Sequence, residues 1–362
     1  MPLAIGLMSG TSADGVTAAL VDIRGRRLKV LRCQTYPYAP PLRRRLLAAA
    51  GLRASQLSRL NFELGHAFAD AARRIGRGRR ATVIGSHGAT VWHGPSAQPP
   101  NTMQIAEPAL IAELCGIPVV ADFRTRDMAA GGEGAPLVPA FDEFLFAHGP
   151  MRCLQNIGGI GNVSVAGRGR LWAAFDTGPG NSLMDEAVRQ ATNHHRHMDQ
   201  NGRLARLGRP DERHLGRLMA DPFFRRPPPK SLDKGAFSIK FLRRHFPRIT
   251  TRGLPDILAT LNLFTACSIV DSYRRFVFPR FAIHEIVIAG GGALNPELMA
   301  NLHRLLAPLP VLTSERFGMP VLAKEAAAFA WLGLRALQGR ANNCPQATGS
   351  RGRRILGKLV PA

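Results

Sequence analysis

The feature that most restricts what this chain can fold into is a strand–glycine turn–strand unit that occurs twice. In the first half, the apolar run Leu3–Met8 enters the polar turn Ser9-Gly10-Thr11-Ser12-Ala13-Asp14-Gly15, and the run Gly15–Ile23 leaves it. In the second half, Met151–Asn156 enters Gly158-Gly159-Ile160-Gly161 and Asn162–Ala166 returns. Short apolar runs bounded by turn residues predict strands. One such unit per half predicts a duplicated scaffold with a ligand cleft between its halves. A third glycine cluster, Gly290-Gly291-Gly292, follows the run Glu285–Ala289.

The intervening sequence predicts mixed α/β halves. Leu28–Tyr36 continues the first meander after a turn at Arg24-Gly25-Arg26, where Gly25 is free to take a positive φ. Pro40-Pro41 opens a helical stretch through Leu52, and Leu57–Ile75 reads as a second helix. Ala81–Ile84 reads as a strand ending on Gly85-Ser86-His87-Gly88, and helix Pro108–Cys115 leads through Gly116 to strand Pro118–Ala121. The glycine- and alanine-rich stretch 124–139 reads as a crossover. Later, Leu171–Phe175 predicts a strand running into Asp176-Thr177-Gly178-Pro179-Gly180-Asn181, with a helix from Ser182. Residues 193–236 are polar and less regular, and helices are predicted over Asp256–Phe276 and Ala323–Leu337.

At 362 residues, with 45% hydrophobic and 20% charged residues, the chain has the size and balance of a two-domain globular enzyme. No uninterrupted apolar run reaches the ~20 residues of a membrane span, and the first residues lack the pattern of a signal peptide. Five scattered cysteines have no metal or redox spacing, which predicts free thiols and a cytoplasmic setting without a protein-held metal. The formal charge of +23 raises nucleic-acid binding. The basic residues are nevertheless spread along the whole chain, and aromatics are only 7%, so no stacking residues interleave with a basic run. A solvated basic surface that favours anionic ligands is the simpler expectation.

Glycine turns at strand ends offer unhindered backbone N–H groups to phosphate oxygens. Ser9-Gly10-Thr11-Ser12 and Asn156–Asn162 suit that role, and the Gly290–Gly292 triplet suits close approach of a flat nucleobase. The chain contains neither Gly-x-x-x-x-Gly-Lys-Ser/Thr nor Gly-x-Gly-x-x-Gly, which argues against P-loop and dinucleotide-binding folds. Asp176, at the exit of an apolar strand beside the second glycine turn, is the candidate general base; Asn181 or Ser182 would cap the next helix. The alternative is that Asp176 only closes its turn.

Several blocks together resemble the anhydro-N-acetylmuramic acid kinases of the actin and sugar-kinase superfamily. They include Ile5–Val16, Gly85–His93, Val120–Gly132, Gly134–Pro139, Gln155–Asn162, Phe175–Asn181, Pro228-Pro229-Lys230-Ser231, Gly290–Gly292, Lys324-Glu325-Ala326 and Thr348-Gly349, running nearly end to end. The resemblance implies a two-domain, duplicated ribonuclease H-like fold, with 1–127 plus 321–362 as one domain and 128–320 as the other. It implies ATP with Mg2+, a small amino-sugar substrate, no nucleic-acid or membrane partner, and a homodimer. The implied reaction opens the anhydro bridge with water and phosphorylates O6. Asp176 is the implied base. The nucleotide positions are Gly10, Thr11, Ser12, Ala13, Asp14, Gly15, Val16, Thr17, Asn156, Gly158, Gly159, Gly161, Gly178, Gly180, Gly290, Gly291, Gly292 and Asn295. The sugar positions are His87, Thr90, Asp122, Arg124 and Glu325.

Arg124 would fork onto the lactyl carboxylate; alternatively it pairs with Asp122 or Asp127. His87 could equally be a strand-end histidine satisfied by backbone. The chain departs from the family pattern at Ala13, Thr17, Ala89, Thr125, Glu133 and 232–235, none of which removes the glycine turns, Asp176 or Glu325. Other readings are a kinase of the same superfamily acting on a free sugar hydroxyl, and a nucleotide-dependent switch protein.

Overall fold

The computed structural model describes residues 2–10, 12–232 and 236–362. They form two compact units, Met1–Leu145 with Gly318–Ala362, and Phe146–Phe317. The first unit holds β1 Leu3–Ser9, β2 Gly15–Arg24, β3 Arg27–Pro37, β4 Val83–Gly94, β5 Asn101–Ile105 and β6 Val119–Ala121. The second holds β7 Arg152–Ile157, β8 Ile160–Gly167, β9 Arg170–Pro179, β10 Glu285–Ala289 and β11 Val311–Thr313; β12, Lys358–Val360, returns to the first.

The sheet orders are β12-β6-β4-β1-β2-β3, with β5 on β4, and β11-β10-β7-β8-β9. In each, three consecutive strands form an antiparallel meander, and two further strands add in parallel beside its first strand. Matched strand for strand, β3-β2-β1-β4-β6 repeats as β9-β8-β7-β10-β11. The duplication expected from the glycine-turn units is therefore present in the topology, and the architecture is the two-domain actin and sugar-kinase type.

In the first unit, the helix Ala54–Ile75 buries Leu60, Leu64, Phe68 and Ile75 against one sheet face, the spacing of an amphipathic helix. On β1 and β4, Gly6 and Gly85 meet the backbone of the helix Lys324–Leu337. A Cβ on Gly6 would stand 1.7 Å from Ala326 O, and one on Gly85 1.9 Å from Phe329 O. Only residues without side chains allow that approach. In the second unit the helix Leu254–Phe276 is, among the described residues, the helix long and apolar enough to cross a membrane by composition. It runs through a core instead, with Leu258, Leu261, Phe264 and Ile269 buried.

Several local expectations change. The strand expected to stop at Ile84 continues as β4 to Gly94, because β5 pairs with its far half. The 40–52 stretch is a helix Pro40–Leu47 followed by a 3-10 turn Ala49–Gly51. The 124–139 crossover contains the helix Phe123–Ala129, and a further helix spans Val138–Phe146. Asn181 precedes the helix Ser182–Ala191 without a side-chain capping bond. Residues 128–145, assigned to the second half from sequence, belong to the first unit. Asp142 forms a buried ion pair with Lys324 at 2.8 Å, and Phe141 and Phe144 pack on Trp331. These tertiary contacts leave no local sequence signal.

Candidate active site

The first glycine turn closes β1 onto β2 through a hydrogen bond from Ala13 N to Gly10 O of 3.0 Å. Thr11 lies outside the described residues. A Cβ on Gly10 would meet only Ser12 Oγ, at 3.9 Å, so this glycine leaves space above the turn without needing unusual torsions. The left-handed residue is Ala13, at φ 51°. Gly15 has a different reason: a Cβ there would sit 2.2 Å from Tyr36 O on β3. Val16 is buried in the core, and Thr17 Oγ1 bonds Thr35 Oγ1 across the sheet at 2.9 Å, so these two side chains serve the fold.

Arg43 is legible in sequence only as part of a basic triplet. It holds the turn from outside, donating Nε to Ala13 O and Nη2 to Ser12 O, both at 3.2 Å, and pairing with Asp14. A guanidinium is suited to two adjacent carbonyls because its donors are rigidly spaced.

In the second unit three glycine segments converge. Gly180 N donates to Gly159 O at 2.9 Å, and Asn181 N to Gly158 O at 2.8 Å. Gly290, at φ 86°, lies against Ile157 O, and Gly292 against the Ile157 side chain. A Cβ added to Gly158 or Gly159 would meet no atom closer than 3.7 Å, which leaves their backbone open to a ligand. Gly161 and Gly178 instead abut Thr177 Oγ1 and Ser268 Oγ, which makes them packing glycines. Asn295 caps the following helix, accepting from Leu298 N at 3.2 Å, and Asn156 is buried beside Gly290.

Asp176 is on β9 rather than beyond it, because the strand continues to Pro179. Asn162 pairs with Asp176 while Gly161 pairs with Gly178, so Thr177 is an extra, bulged residue. A buried network fixes the bulge: Gln155 Nε2 donates to Thr177 Oγ1 at 3.1 Å, and Tyr273 OH to Gln155 Oε1 at 2.9 Å. Asp176 Oδ2 accepts from Leu232 N at 2.8 Å. Nearby Lys230 is buried, with Nζ over the Phe223 and Phe276 rings. Burial pulls its ammonium down to about 8, with Asp271 and Asp176 opposing. In sequence Lys230 stands out only as one residue of the 228–231 block; its burial follows from packing around it.

The sugar-side candidates His87, Arg124 and Glu325 share the first unit. Arg124 Nη1 donates to Gly134 O at 2.8 Å and Nη2 to His87 Nε2 at 2.9 Å, while its buried Nε has no hydrogen-bond partner among the described residues. Because a guanidinium only donates, His87 Nε2 must accept, and the proton resides on Nδ1, facing Gly88 O at 3.0 Å. Both ring nitrogens are thus used, and His87 orients Arg124. Among the described residues Arg124 has no ion pair: Asp122 pairs with Lys358, and Asp127 accepts from Gly134 N and Thr348 Oγ1. Burial pulls Arg124 down to about 10, opposed by Glu325 and Asp127, so it remains cationic at neutral pH. Burial likewise pushes the Glu325 carboxyl up, opposed by Lys324 and Arg124. Thr90 is half-buried on β4 opposite Gln104. Of the departing positions, Ala89 is buried in the core, Thr125 Oγ1 donates to Asp122 O, Glu133 is exposed, and 233–235 lie outside the described residues.

Burial and the Arg124 charge pull the His87 imidazole from 6.5 down to about 3. The unfolded chain therefore takes up this proton near pH 6.5, and the folded chain only near 3. The neutral ring's contribution is complete above about 6.5 and declines as pH falls toward 3, by at most about 1.4 kcal/mol per pH unit. His87→Gln, which can still accept from Arg124, is expected to flatten the melting-temperature profile between pH 6.5 and 4.5. Identical slopes for the two proteins would remove His87 from that account.

Residues 2–362 match the family model for anhydro-N-acetylmuramic acid kinase. A protein of that name from Xanthomonas campestris pv. campestris strain 8004 is 41% identical, with 100% of this chain and 98% of the relative covered. The Caldanaerobacter subterraneus subsp. tengcongensis relative is 38% identical, covering 99% and 96%. The Bacillus cereus relative is 38% identical, covering 98% and 96%. Among solved structures, a ROK family glucokinase from Streptomyces griseus in complex with glucose and AMPPNP aligns with TM-score 0.43 and 14% identity, covering 92% of this chain and 99% of that one.

Proposed function

The chain belongs to the anhydro-N-acetylmuramic acid kinase family, and from that premise we propose that it converts 1,6-anhydro-N-acetylmuramic acid, water and ATP into N-acetylmuramic acid 6-phosphate and ADP. Such a phosphotransferase would serve the recycling of cell-wall amino sugars. Asp176 takes the proton from a water that attacks the anomeric carbon; the bond from that carbon to O6 breaks, and O6 accepts the γ-phosphoryl group. The open backbone at Gly10 in the first unit, and that at Gly158 and Gly159 in the second, each suit phosphate oxygens, since a Cβ at any of them would occupy the approach to its turn. Mg2+ entering with the nucleotide would supply positive charge against the charge that develops during transfer.

The observation that carries the sugar assignment is the buried Arg124 guanidinium, which among the described residues has an unpartnered Nε and no carboxylate at ion-pair distance. A buried guanidinium that no carboxylate contacts directly is costly even with Glu325 and Asp127 nearby, and a ligand carboxylate bonded to it relieves that cost. In this reading the lactyl carboxylate fills the role, which separates the substrate from ordinary hexoses.

Arg124→Ala is expected to erase roughly ten- to hundred-fold of the preference for 1,6-anhydro-N-acetylmuramic acid over its analogue without the lactyl group, since a charge-assisted bond is worth about 1.5–3 kcal/mol. Arg124→Lys should recover part of it. The readout is the kcat/KM ratio for the two sugars, and an unchanged ratio in Arg124→Ala would show that Arg124 does not read the carboxylate. Turnover in oxygen-18 water tests the chemistry: label at the anomeric oxygen supports hydrolytic opening, and unlabelled product points to phosphorylation of a free hydroxyl.

A further inference from the structure

We propose that a seam of buried hydroxyl groups on the helix Leu254–Phe276 positions Asp176 relative to the second glycine turn, with Thr265, Ser272 and Tyr273 as positioning residues. The inference rests on the reading of Asp176 as the base and of Gly158-Gly159 as a phosphate turn. Thr265 and Ser272 stand two turns apart and so share a face of the helix, with Tyr273 beside them. All three are buried in a helix otherwise rich in Leu, Ile, Ala and Phe. Polar groups so placed are costly unless each finds a partner.

A serine or threonine inside a helix commonly bonds a carbonyl one turn back in the same helix. Ser268 does so, donating to Thr265 O at 2.9 Å. Thr265 and Ser272 instead reach out of the helix. Thr265 Oγ1 donates to Gly180 O at 2.9 Å, and Ser272 Oγ to Thr177 O at 3.2 Å. Tyr273 OH donates to Gln155 Oε1 at 2.9 Å. The two backbone acceptors are special in the sheet. Thr177 is the bulged residue and Gly180 follows the last residue of β9, so neither is paired in the β8–β9 register. A buried carbonyl outside a ladder needs another donor, and the helix supplies it.

The segment held in this way joins the base to the turn. It starts at Thr177, next to Asp176, and ends at Gly180 and Asn181, whose N–H groups bond Gly159 O at 2.9 Å and Gly158 O at 2.8 Å. Between these ends, a Cβ on Gly178 would stand 2.6 Å from Ser268 Oγ, so the segment lies directly against the helix. Gln155 closes the network from β7, donating Nε2 to Thr177 Oγ1 at 3.1 Å and to Asn156 O at 3.2 Å. Base and turn are therefore referenced to one helix. Apolar side chains could fill the same face, but they would not set the register of the segment along it; directional bonds in a fully satisfied buried network do. That register matters because a misplacement of about 1 Å at a reacting group can cost about 100-fold in rate.

The test compares Tyr273→Phe, Ser272→Ala and Thr265→Val, which each remove a hydroxyl and little volume, with Thr265→Ser, which keeps it. Tyr273→Phe and Ser272→Ala, at the end nearer Asp176, should lower kcat about ten-fold with both KM values unchanged. Thr265→Val, at the end nearer the glycine turn, should raise the KM for ATP about ten-fold, and Thr265→Ser should keep it at the wild-type value. Urea midpoints are read in parallel, because each hydroxyl removal leaves a buried oxygen unbonded and lowers stability whatever its role. Kinetics measured well below the unfolding transition therefore decide. Tyr273→Phe loses a single oxygen atom and keeps the test alive if the other two variants do not fold. Lowered midpoints with wild-type kcat and KM overturn the proposal. So does a Thr265→Ser that behaves like Thr265→Val, since shape and not the hydroxyl would then matter. Wild type that phosphorylates no anhydro sugar, or Asp176→Asn with normal turnover, overturns the functional reading and this inference together. An inactive Asp176→Asn beside hydroxyl variants of wild-type kinetics sinks this inference alone.

Discussion

Asp176→Asn is expected to lower kcat by at least ~100-fold while leaving folding and nucleotide affinity close to wild type. An asparagine carbonyl can accept the hydrogen bond that Leu232 N gives to Asp176 Oδ2. The backbone bond from Asp176 N to Lys230 O does not involve the side chain. The bulge at Thr177 is fixed by Gln155, Tyr273 and Ser272, none of which depends on the carboxylate. The substitution therefore removes proton acceptance and the negative charge that faces Lys230, while these hydrogen bonds remain available. Single-turnover rates, nucleotide calorimetry and melting temperature separate these effects. Near-normal turnover would reduce Asp176 to an anchor for the 226–232 loop.

Gly85→Ala should cost at least about 3 kcal/mol, since overpacking a rigid contact commonly costs about 1–3 kcal/mol and more where backbone must shift. A Cβ at this position would stand 1.9 Å from Phe329 O and 2.7 Å from Phe329 C, both backbone atoms of the helix Lys324–Leu337. A Cβ on Gly333 would in turn stand 2.8 Å from Gly85 Cα, so strand and helix are pressed together here and neither can yield without moving a whole element. Against a total stability of roughly 5–15 kcal/mol, that loss is large. The displaced helix also carries Glu325 and Phe329, the ring against which His87 packs at 4.6 Å. Gly51→Ala, where an added Cβ meets nothing within 4 Å, is the control and should be almost silent. A urea midpoint for Gly85→Ala equal to that of the control would refute the close-contact account.

The sites differ in how far sequence could reach them. The turns at Gly10 and Gly158-Gly159 were legible because a glycine cluster after an apolar run has few uses. Glycine type alone could not distinguish a residue that leaves open space from one that yields to neighbouring protein. Gly15, Gly161 and Gly178 fall in the second class, their partners being Tyr36, Thr177 and Ser268. Arg43 was hidden for a related reason, since a basic triplet on a helix carries no mark of which arginine reaches two carbonyls some thirty residues back. The alternative ion pairs for Arg124 were resolved by Lys358 and Thr348, which occupy Asp122 and Asp127 from the far end of the chain.

Local pattern alone determined the meanders, the helix Pro108–Cys115, the strand Glu285–Ala289 and the twofold recurrence of the glycine-turn unit. These depend on backbone torsion and side-chain periodicity, which neighbouring residues set. Tertiary structure decided which strands lie side by side, the extension of β4 along β5, the bulge that follows Asp176, and the attachment of residues 128–145 to the first unit. Each depends on partners distant in sequence, such as Gln155 with Tyr273 or Asp142 with Lys324. Burial, which withdraws water from Arg124, Lys230 and His87 and so shifts their protonation, exists only once those partners have closed around them.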